Sequence, residues 1–368
     1  MSHSFDDQVV VPNLMRQLDM LGTAQGESGV SQTGRYFDAP DIDLSVYDNI
    51  VLCMSGGKDG IASLLQLIEM GVDMSKVELW HHDVDGREGS TLMDWAFMAD
   101  YNRKLAKAFD LPLYFSWLEG GLEGEMLKEN SYSRPHHIET PDGLMVLERD
   151  TKRAKPGTRL RFPQVSASLQ TRWCSSSNKI DVGRRALNNQ PRFNGKKVLF
   201  ITGERREESS NRARYFQLEK HACDARHGRK ARHIDAWRPV LGWDEARVWD
   251  ILKRFGVLAP VPYRLNWNRS SCMTCVFNGP RVWATIAEYF PDRARRIAEY
   301  ENQFGTTISR DRINVLQIAD RARPFEITDK VALEQATKRD YTLPVFATAD
   351  HPWTMPAGAF GKEGCGAS

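Results

Sequence analysis

Short apolar runs and helix-spaced apolar positions alternate through the first two thirds of this chain. Ile50-Val51-Leu52-Cys53-Met54 is a compact β-branched run that predicts a buried strand. Glycines follow at once, and then Ile61, Leu64, Leu65 and Ile68 recur at helical spacing until Gly71 supplies a stop. The unit repeats. Val77–His82 predicts a second strand ending at Asp83-Val84-Asp85-Gly86. Leu92, Trp95, Ala96, Ala99, Leu105, Ala106 and Phe109 predict one long amphipathic helix. Leu113–Trp117 and Lys197–Thr202 predict strands three and four. Strands alternating with helices imply a doubly wound, mostly parallel α/β sheet. Right-handed crossovers then put the loops after the strands on one edge, where ligands bind.

Other stretches break the rhythm. Residues 1–45 are polar and predict a loosely held N-terminal arm, and 46–260 the α/β domain. Residues 119–165, with few periodic positions, predict an insertion or flap. Asp244 is placed to cap a helix running to Arg254, with Gly256 at its end. Residues 261–339 predict a helical region holding Cys272 and Cys275 and a helix from Arg281 to about Tyr300. Residues 340–368 predict a Gly-, Pro- and Ala-rich tail.

Composition narrows the class. Hydrophobic residues make up 41% and charged residues 27% of 368, an ordinary globular balance. The formal charge of +2 does not diagnose a polyanion partner, but cationic side chains crowd the stretch from Arg205 to Arg238. That stretch is either a solvated face or a phosphate- or nucleic-acid-binding one. No apolar run approaches the roughly 20 residues that span a bilayer, and the start lacks a secretory pattern, so a cytoplasmic protein is expected. Six dispersed cysteines do not form a disulfide framework, and the Cys272/Cys275 pair reads as metal or redox chemistry.

The densest chemistry lies at Ser55-Gly56-Gly57-Lys58-Asp59-Gly60, between a predicted strand and a predicted helix. Adjacent glycines let backbone N–H groups turn inward around an anion, and the next helix points its positive end there. Ser55 adds a hydroxyl donor, Lys58 a charge and Asp59 a carboxylate suited to Mg²⁺. The spacing is not that of a Walker A loop or a G-x-G-x-x-G turn. Gly203, Arg205, Arg206, Glu208, Ser209 and Arg212 follow the fourth strand and should face the same edge. Guanidinium forks suit phosphate, although a salt-bridged helix start would use the same residues. Asp83 ends strand two, where a carboxylate could meet Mg²⁺ or ribose.

Ser-Gly-Gly-Lys-Asp resembles the PP-loop of ATP pyrophosphatases, with Gly60 where that pattern has a hydroxyl residue. Thr202–Arg212, Trp173-Cys174 through Lys179, and Pro239–Trp249 resemble segments of the PAPS reductase family, so the likeness spans about residues 46–300. The resemblance implies an adenine nucleotide alpha hydrolase-like fold and ATP cleavage to AMP and pyrophosphate. It is nearest to the sulfurtransferases of DNA phosphorothioation. It also implies that Cys174, Cys272 and Cys275 hold a [4Fe–4S] cluster, with zinc as the alternative. A sulfur donor such as a cysteine desulfurase and a DNA, RNA or metabolite acceptor would follow. Two alternatives stay open: a PAPS or APS reductase using Cys365 as nucleophile, and a non-catalytic ATP-binding subunit.

Overall fold

The computed structural model describes residues 38–270 and 272–361. Eight strands form one sheet: β1 (Asn49–Cys53), β2 (Val77–Asp83), β3 (Leu113–Leu118), β4 (His136–Thr140), β5 (Gly143–Leu147), β6 (Lys197–Ile201), β7 (Leu218–Lys220) and β8 (His233–Trp237). Their order is β5-β4-β3-β2-β1-β6-β8-β7. The five central strands run parallel, and β4, β5 and β7 are antiparallel additions at the edges. The protein is therefore an α/β protein with a mostly parallel sheet.

Alternation along β1 explains the two layers. Ile50 and Leu52 join one core with the helices Lys58–Glu69 and Glu245–Arg254, while Val51 packs on the other face with Trp80, Ala186, Leu187, Phe200 and Ile234. Strand order reverses between β1 and β6, and the crevice at such a reversal is where α/β sheets take ligands.

Several expectations change shape. The predicted helix over 92–109 begins only at Met98, because the Asp85 carboxylate captures the amides of Met93 (3.0 and 3.1 Å) and Asp94 (2.8 Å). The predicted helix over 281–300 is two, Pro280–Tyr289 and Pro291–Phe304, broken at Phe290, since the residue before proline avoids helical geometry. Residues 119–165, expected as an insertion or flap, contain the helix Gly121–Met126 and the β4–β5 hairpin that widens the sheet. Residues 340–361, expected as a tail, pack into the body: Tyr341 is buried against Tyr101, and the Gly358 amide donates to Tyr263 O at 2.7 Å. Of the expected N-terminal arm, residues 38–45 are described. Trp237 Nε1 donates to Ala39 O at 2.8 Å. Cys365 lies outside the described residues. The Asp244 cap forms as expected, accepting from the Arg247 amide at 2.7 Å, and Gly256 adopts φ +65.

Candidate functional site

The chain leaves β1 at Cys53, turns through Ser55-Gly56-Gly57 and enters the helix Lys58–Glu69. Gly56 sits at φ +76, and a Cβ there would crowd Asn102 Oδ1 and Tyr101 at 3.3 Å. The amides of Ser55, Gly56 and Gly57 donate to no acceptor among the described residues. The Lys58 amide is held by the Tyr263 hydroxyl at 3.1 Å, and the Ile61 amide is the first to take an intrahelical carbonyl (Gly57, 3.1 Å). The bend is therefore open, with unused donors at the positive end of a helix.

Behind the bend lies a compact charge network. Lys58 is buried over the Tyr263 ring, 3.2 Å from Asp59 Oδ2 and 3.9 Å from Glu245 Oε1. Burial opposes its charge, but Tyr263, Asp59 and Glu245 hold the ammonium above its ordinary pKa. Arg205, also buried, donates from Nε to Asp59 Oδ1 at 2.5 Å and pairs with Glu207. These partners outweigh burial and keep its guanidinium firmly charged. Gly203 makes the meeting possible: a Cβ on it would stand 2.7 Å from the Asp59 carbonyl carbon.

The remaining arginines divide. Arg206 turns away to Asp38 (2.5 Å) and Tyr215 O (3.3 Å). Arg212 pairs with Glu208, which also takes Arg269 at 3.1 Å and the Arg205 amide at 2.8 Å. Against the penalty of burial, Arg212 and Arg269 hold the Glu208 carboxyl down at about 2. Ser209 Oγ accepts from the Arg212 amide at 3.3 Å. Farther along the basic stretch, Arg226 pairs with Asp224 and Asp235, Arg238 with Glu204 and Glu219, and Arg232 with carbonyls of Leu187 and Asn188. These cations serve the fold.

A second constellation lies past the end of β2. Burial lifts Asp83 to about 6 and Asp85 to about 7. The Cys272–Cys275 turn docks here, with Thr274 Oγ1 donating to Leu92 O at 2.9 Å. Lys179, at the end of the Cys174 segment, is exposed. Cys272 foremost, then Cys174, Cys275 and Asp94, hold its pKa above the ordinary value against burial. Burial pushes the Cys174 and Cys272 thiols upward. The structure thus gathers the three cysteines from two distant segments around one ammonium. Among the described residues, however, no three His, Cys, Asp or Glu side chains stand close enough to hold a single metal ion. Cys53 lies in β1 near His82 and is a strand residue, as expected.

Sequence reasoning did not single out Tyr263, Ser270, Glu245 or Asn102. Each reaches the bend from a distant segment, and no local pattern marks them. Lys179 carried a signal, since it closes the Cys174-x-x-x-x-Lys179 segment.

No family model matches this chain. An uncharacterized 37.8 kDa protein of Escherichia phage 186 is 25% identical over 270 residues, covering 68% of this chain and 74% of that protein. Among solved structures, Candida glabrata FMN adenylyltransferase in complex with ATP aligns over 91% of this chain and 83% of its own, at 12% identity and a TM-score of 0.36. Its complex with FAD and inorganic pyrophosphate aligns over 60% of this chain and 53% of its own, at 12% identity and a TM-score of 0.31. The chain thus spans about half of that complex's length, and likenesses this loose carry no assignment. No helix among the described residues is long and apolar enough to cross a membrane.

Proposed function

We propose that this chain binds ATP at the bend after β1 and cleaves it between the α- and β-phosphates. An acceptor oxygen attacks the α-phosphorus, the bond to the bridging oxygen breaks, and pyrophosphate departs with that electron pair. The observation that carries this reading is the run of three amides, Ser55 to Gly57, that meet no acceptor among the described residues, at the head of a helix backed by Lys58 and Arg205. Donors fixed in advance stabilise charge gathering on a leaving group without reorganising.

Both Asp59 oxygens are already shared, one with Lys58 and one with Arg205. We therefore assign Asp59 to aiming those cations rather than to gripping Mg²⁺. The ion would travel with the nucleotide and be held mainly by its phosphates. Arg205 and Lys58 supply the fixed positive field, while Gly203 lets β6 deliver Arg205 to the bend.

The finer reading adds sulfur. We propose that Cys174, Cys272 and Cys275 would hold a [4Fe–4S] cluster, one cysteine to each of three irons, with zinc as the alternative. When bound, such a cluster supplies an iron site for sulfide. Lys179 offsets the thiolate charge there, and sulfur displaces AMP from the adenylated acceptor. The acceptor is a nucleic acid or a metabolite, and a cysteine desulfurase is a suitable donor.

The test is formation of AMP and pyrophosphate from ATP by the purified protein, with DNA, tRNA or neither. Asp59→Ala should lower the rate by about 100-fold or more, the size of effect expected when fixed transition-state charges lose their aim. ATP bound and recovered intact under every condition would favour the non-catalytic reading instead.

A further inference from the structure

Gly60 leaves the first turn of the nucleotide helix without a hydroxyl. Two hydroxyls from another part of the chain stand at the same bend. The Tyr263 oxygen accepts the Lys58 amide at 3.1 Å, and the Ser270 amide approaches the same atom. Its own hydrogen meets no acceptor among the described residues. Ser270 is only 6% exposed, and its Oγ is buried without a hydrogen-bond partner. Both residues face Gly57: a Cβ built there would lie 3.7 Å from Tyr263 Oη and 3.9 Å from Ser270 Cβ.

A buried hydroxyl without a partner is costly, and native proteins leave few of them. Here the unpartnered hydroxyl adjoins a bend whose amides have no acceptor among the described residues, so both sets of donors face the place where one anionic oxygen could meet them. An oxygen of a pyrophosphate group answers both, since it accepts several donors at once and carries the charge that strengthens each bond.

We infer that Ser270 and Tyr263 are pyrophosphate ligands, a hydroxyl pair that takes the place of the one Gly60 lacks. This rests on the nucleotide reading proposed above. It has a mechanical corollary. Ser270 precedes Cys272 by two residues, so the segment carrying the cysteine pair also touches the leaving group, and Glu208 braces it through Arg269 at 3.1 Å. Departure of pyrophosphate would then be felt directly by the cysteine-bearing turn.

Calorimetric titration of the full chain with inorganic pyrophosphate and with AMP, both with magnesium, tests the assignment. Ser270→Ala should weaken pyrophosphate binding roughly 10- to 100-fold, the range for a bond to a charged acceptor, and leave AMP affinity unchanged. The unliganded variant should melt at the wild-type temperature or above it, because it loses an unsatisfied group; a purely structural role would lower melting and both affinities together. Tyr263→Phe should show the same selective loss of pyrophosphate. Wild-type pyrophosphate affinity in both variants overturns this inference while leaving the nucleotide reading intact. If the wild type binds neither ATP nor pyrophosphate, the parent reading falls, and this one with it.

Discussion

A side chain on Gly203 would place its Cβ 2.7 Å from the Asp59 carbonyl carbon and 2.8 Å from the Gly60 nitrogen. Both are backbone atoms and cannot yield as a flexible side chain would. Gly203→Ala should therefore cost about 1–3 kcal/mol of stability and separate Arg205 from Asp59. Thermal unfolding and AMP formation should fall together. Gly157→Ala, where a Cβ meets nothing within 4 Å, should leave both unchanged. Arg205 answers a different question. Its guanidinium reaches Asp59, Glu207 and the Trp243 carbonyl at once, which a single ammonium cannot do. Arg205→Lys keeps the charge and loses that geometry, so kcat for AMP formation should drop about 10- to 100-fold with little change in unfolding temperature. An unchanged kcat would remove Arg205 from the mechanism.

The segment after β2 shows how one side chain can cancel a helix. Apolar spacing from Leu92 onward favours helix, yet Asp85 takes the amides of Met93 and Asp94, and Asp94 takes that of Trp95 at 2.8 Å. These carboxylate bonds fix an irregular stretch against which the Cys272–Cys275 turn docks through Thr274. Burial raises the Asp85 pKa from 3.8 to about 7, so the folded protein keeps a proton that the unfolded chain releases earlier. Stability from this group is full below about pH 4 and is lost as pH rises toward about 7, at roughly 1.4 kcal/mol per pH unit inside that window. Asp83, raised to about 6, acts in the same direction. Urea unfolding measured from pH 4 to 8 should show this decline, and Asp85→Asn should flatten it. A profile with the same slope in the variant would assign the decline elsewhere.

The sheet and the cysteine-bearing region share one core. Val240, Trp249, Tyr263, Trp267, Cys272, Trp283 and Ile297 belong to the same buried cluster as Ile50, Leu52 and Leu64. Among the described residues, those after 260 share the core of the sheet, so the bend and the cysteine-bearing turn are both anchored to the same body. That relation makes metal content a property of the folded whole. Anaerobic purification should yield iron and acid-labile sulfide with absorbance near ~400 nm. Cys272→Ser should abolish both without altering ATP affinity. Zinc in place of iron would end the cluster proposal and leave the nucleotide site standing.

Local chain chemistry was enough to place β1, the diglycine bend and the helix after it, and to predict the Asp244 cap and the Gly256 stop. Each of these depends on residues within about one turn of one another. The resemblance of three separated segments also marked Arg205 and Cys174, and the C-x-x-C spacing marked Cys272 and Cys275. What the chain order could not supply was which of these side chains meet. Arg205 and Asp59 are 146 positions apart and Lys58 and Tyr263 are 205 apart. Their contacts exist because β6 pairs with β1 and because the segment after Pro260 folds back over the bend. The same packing turned Lys58 inward to Asp59 and Glu245, sent Arg206 out to Asp38, and left Ser270 without a partner beside Gly57. Periodicity records which face of an element is apolar. Strand order and burial set what that face, and every polar group on it, finally touches.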